Sequence, residues 1–130
     1  MWIQHVQNPK AITHLYKEVP ALENVEITAF NAKQGCSLRF FLNLPEFADF
    51  RPVRWSEKYN TVAMEIDFWA VQNLEILGLT AIPVLSFSMS KSETGILVNA
   101  VGVGMRISFS CSTIYIQNVS GFINSERMLG

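Results

Sequence analysis

Apolar and polar residues alternate along most of this chain. In the clearest case, Thr61–Trp69, every second residue is a large apolar one, and Glu65 and Asp67 stand between them. Successive side chains of a strand point to opposite faces, so this period of two predicts a strand with one buried and one exposed face. Similar patterns predict seven further strands, near residues 25–29, 37–44, 74–79, 85–90, 96–101, 105–110 and 113–117.

Turn residues separate several of these segments. Lys33-Gln34-Gly35 and Ser92-Glu93-Thr94-Gly95 are typical turns, and Gly102 and Gly104 bracket another. About eight short strands joined by tight turns predict an antiparallel meander. Its apolar face needs a cover, so we expect a mainly β (α+β) fold in which the sheet curls into a sandwich or an open barrel.

The N-terminal region has a helical period instead. Asn8-Pro9 can begin a helix, because Asn caps free N–H groups and Pro is tolerated at the first helical position. Pro20 then ends the pattern. We expect one N-terminal helix of about three turns that docks on the sheet, since so short a helix is unstable alone. Its apolar stripe has i, i+3, i+4 and i+7 spacing: Ile12, Leu15, Tyr16 and Val19.

The composition favours a single globular domain over residues 1–130, with 49% hydrophobic residues and a net charge of -1. Scattered charges give no basic patch for nucleic acid or an acidic membrane. No apolar run is long enough to span a bilayer, and Met1–His5 does not begin like a signal peptide. We therefore expect an intracellular protein in which Cys36 and Cys111 are free thiols.

Catalytic chemistry is not indicated. His5 and His14 do not have the spacing of a zinc pair, and Gly102-Val103-Gly104 lacks the third glycine of a phosphate loop. Glu65 and Asp67 share one side of a strand, and we interpret them as exposed acids paired across strands with Arg39 or Arg106. We expect no enzyme activity, no metal and no cofactor.

The connection from Pro45 to Tyr59 is unusually long for a compact domain. Its aromatic and arginine residues are types that protein interfaces use. The same aromatics could instead plug one open end of the sheet, and the sequence leaves both interpretations open. The aromatic residues are Phe47, Phe50, Trp55 and Tyr59.

Short segments of the chain resemble a known bacterial family. They are Leu15-Tyr16 with residues 19–27, Arg51-Pro52-Val53-Arg54-Trp55, Tyr59-Asn60-Thr61-Val62, Glu65-Ile66-Asp67-Phe68, and Val71-Gln72-Asn73-Leu74-Glu75-Ile76. Together they are similar to immunity protein family fifty of bacterial polymorphic toxin systems. Trp55 and Asn60 match positions that recur in that family, and we attribute their recurrence to the fold.

The resemblance implies an antitoxin in the bacterial cytoplasm, active in contact-dependent competition. It would bind a cognate toxin domain delivered by a neighbouring cell and block it by occlusion, as a monomer or weak homodimer. Aromatic and acidic residues side by side place the toxin-binding surface on the long connection and the strand after it. The candidate contact residues are Trp55, Glu57, Tyr59, Glu65, Asp67 and Trp69.

Two other functions stay open from the sequence. A β-barrel lined by Phe, Met and Leu could enclose a small apolar ligand, which makes a carrier the main alternative. Exposed edge strands that pair with other copies would instead indicate a structural or filament subunit.

Overall fold

The computed structural model describes residues 1–80 and 83–128, which form eight strands and little helix. A 3₁₀ turn, Trp2–His5, precedes a short α-helix, α1 (Lys10–Thr13), and a second, α2 (Ser125–Met128), follows the last strand. The strands are β1 (Val25–Lys33), β2 (Ser37–Asn43), β3 (Thr61–Trp69), β4 (Gln72–Leu77), β5 (Val84–Ser92), β6 (Gly95–Gly102), β7 (Met105–Cys111) and β8 (Thr113–Phe122). The expected mainly β class is confirmed.

All eight strands belong to one antiparallel sheet with the order β4-β7-β6-β5-β1-β2-β3-β8. Two three-stranded meanders, β1-β2-β3 and β5-β6-β7, are joined by only two residue pairs, Val25 with Leu85 and Glu26 with Val84. The predicted meander is therefore divided into two halves. β8 and β4 lie at the outer edges of these halves, away from their neighbours in sequence, and the sheet is not closed.

Aromatic contacts show that the two halves face each other. The ring of Phe40 on β2 is fully buried and lies 5.5 Å from that of Phe87 on β5 and 6.4 Å from that of Phe109 on β7. Phe68 on β3 meets Phe109 edge to face at 5.1 Å. These rings fill the space between the halves, and edge-to-face geometry adds to the burial of apolar area.

The chain crosses between the halves at one corner. β3 leads into β4 through Ala70-Val71, and β7 leads into β8 through Ser112 alone. The N–H of Ser112 donates to the carbonyl oxygen of Trp69 at 2.9 Å, which ties the two crossings together. Trp69 thus ends β3 at a corner of the molecule.

The N-terminal helix is much shorter than predicted, because the long connection binds the backbone that would continue it. The N–H of Phe50 donates to the carbonyl oxygen of Leu15 at 3.0 Å, and the N–H of Lys17 donates to Asp49 Oδ2 at 2.9 Å. The apolar stripe is nevertheless buried, with Ile12, Leu15 and Tyr16 at most 3% exposed.

One strand departs from simple alternation. A bulge between Ile27 and Ala29 shifts the register of β1 against β2 by one residue. Ala29 is consequently exposed, and Phe30 takes the inward position and stacks on Phe40 at 5.5 Å. A one-residue shift exchanges the two faces of a strand. The alternation predicted for β1, with Ala29 on the buried face, is therefore wrong after Ile27. None of the described helices is long and apolar enough to cross a membrane.

Candidate functional site

The outer side of the β2-β3-β8 half carries a cluster of polar and aromatic residues. β3 directs Val62, Met64, Ile66 and Phe68 into the core, so Glu65 and Asp67 lie on the opposite side. The register places Arg39 of β2 on one side of Asp67 and Tyr115 of β8 on the other. We call this surface the charged face, and its residues are Arg39, Glu65, Asp67, Trp69, Tyr115 and Asn118.

An ion pair organises the charged face. Arg39 donates twice to Asp67, from Nε to Oδ1 at 2.6 Å and from Nη2 to Oδ2 at 2.9 Å. This planar, two-point geometry is the strong form of the arginine–carboxylate interaction. The hydrogen bond to Asp67 raises the pKa of the Arg39 guanidinium. The Asp67 side chain is only 3% exposed, because Arg39 lies over it. The two hydrogen bonds in turn hold the guanidinium of Arg39 in place.

Glu65 extends this network toward β8. Its Oε1 lies 3.8 Å from Nη1 of Arg39, and its Oε2 accepts a hydrogen bond of 3.0 Å from Nδ2 of Asn118. Both partners limit the rotamers of a side chain that is still 27% exposed. The carboxylate is therefore held in position at the surface, where it can meet another molecule.

Two aromatic side chains flank the network. Trp69, at the end of β3, is 42% exposed, and Tyr115, opposite Asp67, is 40% exposed. Exposed tryptophan and tyrosine next to charged groups are typical of protein interfaces, because they bury a large area with few rotatable bonds. The charged face thus combines apolar contact area with fixed hydrogen-bonding groups.

The long connection covers an end of the sheet. Trp55 is only 8% exposed and lies 6.0 Å from the ring of Phe47 and 6.3 Å from that of Tyr59. A Cβ added to Gly121 of β8 would lie 2.7 Å from Trp55 Cε3 and 2.8 Å from Tyr59 Cδ2, so these rings rest on the backbone of β8. For Trp55, the interpretation of an aromatic plug is the one that agrees with the structure.

The six candidate contact residues consequently have different positions. Glu65 and Trp69 are accessible on the charged face, whereas Asp67 is only 2% exposed beneath Arg39, so the expectation that both acids are exposed is wrong for Asp67. Trp55, at 8% exposure, is a core residue with little surface to offer a partner. Glu57 is exposed and Tyr59 is half-buried, both on the long connection. Asn60 exchanges hydrogen bonds with the backbone of Asn124, at 2.8 and 3.0 Å, which is a structural role.

Part of this network was predictable from the sequence. The expected cross-strand partner of the acids is Arg39, whereas Arg106 lies on β7 opposite Leu77 and Val101. Tyr115 and Asn118 were missed. The alternation of Ile114 and Ile116 with Tyr115 indicates an outward tyrosine, but only the pairing of β8 with β3 shows which acid it adjoins.

Comparison with protein families gives a match for this chain. A family model described as Immunity protein 50 matches residues 8–122, nearly the whole chain. The chain belongs to the Immunity protein 50 family. This confirms the resemblance and supports an immunity-type function, in a class of proteins that is generally non-enzymatic. No curated protein and no solved structure shows a significant match.

Among residues 1–80 and 83–128, no three His, Cys, Asp or Glu side chains are grouped closely enough to hold an ion. Both cysteines are free, with Cys36 exposed and Cys111 buried. Burial raises the pKa of the Cys111 thiol to about 11, which keeps it protonated and unreactive near neutral pH.

Proposed function

We propose that this protein is a cytoplasmic antitoxin that binds a cognate bacterial toxin domain and blocks it by occlusion. The proposed contact surface is the charged face, where Glu65 and Trp69 would contact the toxin directly and the buried Asp67 would hold Arg39 in position, with Glu57 and Tyr59 of the long connection as further contacts. Membership of an immunity protein family supports the class of function. The observation that carries the choice of surface is the pair of exposed aromatics beside the Arg39–Asp67–Glu65 network.

The network suits recognition because its charges are already paired and oriented. A partner would meet a carboxylate held by Arg39 and Asn118, so little side-chain freedom is lost on binding. Trp69 and Tyr115 would supply the apolar centre of an interface of about 1,600 Å² in total. With a net charge of -1, long-range electrostatic steering contributes little, so the toxin need not be a strongly basic enzyme.

The alternative of a small apolar carrier receives less support. Phe40 is fully buried and contacts the rings of Phe30, Phe68, Phe87 and Phe109, so the space that a barrel ligand would need holds side chains. Close packing of this kind leaves no room without rearrangement of the core.

The decisive experiment first looks for a toxin gene next to this one, and then measures binding to its toxin domain together with protection of cells that express that domain. We expect Trp69→Ala and Glu65→Arg each to weaken the Kd by at least about tenfold, or about 1.4 kcal/mol. Leu97→Ala is the matched control, because Leu97 is also 42% exposed but lies on β6, in the other half of the sheet. Its Kd should equal that of the wild type.

The possible results separate the surface from the function. If both charged-face variants bind the toxin as the wild type does, the proposed surface is wrong. If the wild-type protein neither binds the toxin nor protects the cells, the antitoxin function itself is wrong.

A further inference from the structure

The outer edge of β8 is already used for backbone pairing by the N-terminal segment. Val6 forms a parallel bridge with Ile114, and the N–H of Gln7 donates to the carbonyl oxygen of Ile114 at 2.9 Å. The side-chain amide of Asn8 then acts like a peptide group. Its Nδ2 donates to the carbonyl oxygen of Ile116 at 2.7 Å, and its Oδ1 accepts from the N–H of Ile116 at 2.9 Å.

This protection ends at Ile116. Ile116 directs its backbone groups at Asn8 and pairs with Ile66, while Val119 pairs with Met64, two residues earlier on β3. Along two antiparallel strands, residue pairs that exchange backbone hydrogen bonds alternate with pairs whose backbone groups point away from each other. Met64 and Ile66 are two residues apart, so Val119 is in the same kind of pair as Ile116, and its N–H and carbonyl also point to the outer edge. Within residues 1–80 and 83–128, no hydrogen bond reaches that edge between Gln117 and Gly121.

An open cleft of about 320 Å³ continues along this unprotected edge. Residues 116–119 form one wall, and the region of α1 with Asn8 and His14 forms another. Pro52, Arg54 and Trp55 of the long connection form the third. The ionisable side chains among the described lining residues are His14 and Arg54, with no carboxylate.

The chemistry of the cleft selects a negatively charged ligand. Arg54 is exposed and offers a planar, positively charged guanidinium with several N–H donors. His14 donates from Nδ1 to the carbonyl oxygen of Lys10, so the positive charge that would attract an anion is that of Arg54. An exposed strand edge is a template for an added strand, whose backbone supplies affinity and whose side chains supply specificity.

We propose that this cleft receives an extended acidic segment of the toxin, which adds to the outer edge of β8 beyond Asn8 and places a carboxylate beside Arg54. The inference rests on the proposed antitoxin function, because the toxin supplies the segment. The cleft is also continuous with the charged face, since Asn118 lines the cleft and binds Glu65. One partner can therefore contact both surfaces.

A peptide experiment tests the cleft without the toxin. The probe is a capped hexapeptide of alternating glutamate and valine, added to the ¹⁵N-labelled full-length protein and followed by NMR. We expect shifts at the amides of residues 117–119 and at Nε of Arg54, and none with the matched lysine–valine hexapeptide. Shifts that are equal for both peptides, that lie instead on the free edge of β4, or that do not occur would overturn the proposal.

Variants identify the groups that bind the peptide. Arg54→Glu should weaken its affinity by at least about tenfold, whereas Arg51→Glu should not, because Arg51 is exposed on the same connection but outside the cleft lining. Val119→Pro removes an N–H at the free edge, a position where a strand tolerates proline, and should also weaken binding. Unchanged affinity in both Arg54→Glu and Val119→Pro would contradict the proposed binding mode.

The peptide and toxin experiments fail independently. A wild-type protein that neutralises the toxin but ignores the glutamate peptide contradicts the cleft alone. A protein that binds the peptide in the cleft but neither binds the toxin nor protects cells contradicts the antitoxin function.

Discussion

At the scale of single residues, Trp55, which precedes β3, and Trp69, the last residue of β3, have opposite environments. Trp55 is 8% exposed, and its ring lies between Phe47 and Tyr59 and against Gly121. Trp69 is 42% exposed at the corner where β3 turns toward β4. The same residue type therefore stabilises the fold at one position and offers surface to a partner at the other.

Replacing each tryptophan separately should distinguish these roles. Trp55→Ala leaves a cavity and is expected to lower the free energy of unfolding by about 3–5 kcal/mol. Trp69→Ala removes a partly exposed side chain and should lower it by less than about 1 kcal/mol. Urea denaturation, followed by far-ultraviolet circular dichroism, measures both values. Equal losses would show that Trp69 is part of the core, and would remove it from the proposed contact surface.

At the scale of elements, the two edge strands are treated differently. As far as Ile116, the outer edge of β8 is covered by the backbone of Val6 and Gln7 and then by the Asn8 amide. All six residues of β4, Gln72–Leu77, are exposed, and Leu74, Ile76 and Leu77 are among them. Protected edges prevent unwanted strand addition, so the N-terminal segment has a specific structural purpose.

The contribution of Asn8 can be measured directly. Asn8→Ala removes both hydrogen bonds to Ile116, which should lower the free energy of unfolding by about 1–2 kcal/mol and speed hydrogen exchange at the Ile116 amide. Asn118→Ala is the control, because its side-chain hydrogen bond goes to Glu65 on the charged face. Ile116 exchange that is equally slow in both variants would show that Asn8 does not protect this edge.

At the scale of the whole molecule, folding buries two groups that ionise in alkaline solution. Cys111 is 2% exposed, and burial raises its pKa from 9.0 to about 11. Tyr16 is 3% exposed, its hydroxyl donates to the carbonyl oxygen of Glu46 at 2.7 Å, and burial, with Glu46 and Asp49 nearby, raises its pKa as well. Both groups remain neutral in the fold at pH values where the unfolded chain loses their protons.

Global stability should therefore fall in alkali. The Cys111 contribution is complete below about pH 9 and is lost as the pH rises to about 11, a change of roughly 2–3 kcal/mol. Cys111→Ala should lower stability at pH 7 but make its decrease between pH 9 and 11 less steep. Tyr16→Phe should flatten the decrease above pH 10. Urea denaturation at a series of pH values tests this, and unchanged slopes in both variants would contradict it.

Much of the fold was predictable because local patterns control it. The strand predicted over Thr61–Trp69 has those bounds as β3, and the turns at Ser92–Gly95 and Gly102–Gly104 join the strands expected. The predicted helix was too long. The carbonyl of Leu15 and the N–H of Lys17 form hydrogen bonds to Phe50 and Asp49 of the long connection, which ends the helical pattern. Contacts between residues distant in sequence leave no periodic signal, so no local pattern could reveal them.

The sequence alone determined the strand count, the buried face of most strands and the family, because these depend on alternation and on short characteristic segments within one stretch of chain. Tertiary structure alone decided that β8 pairs with β3, which brings Tyr115 and Asn118 to Asp67 and Glu65. It also decided that Trp55 is buried while Trp69 is exposed. Strand order and register depend on packing between distant segments, and the proposed contact surface exists only after that packing has formed.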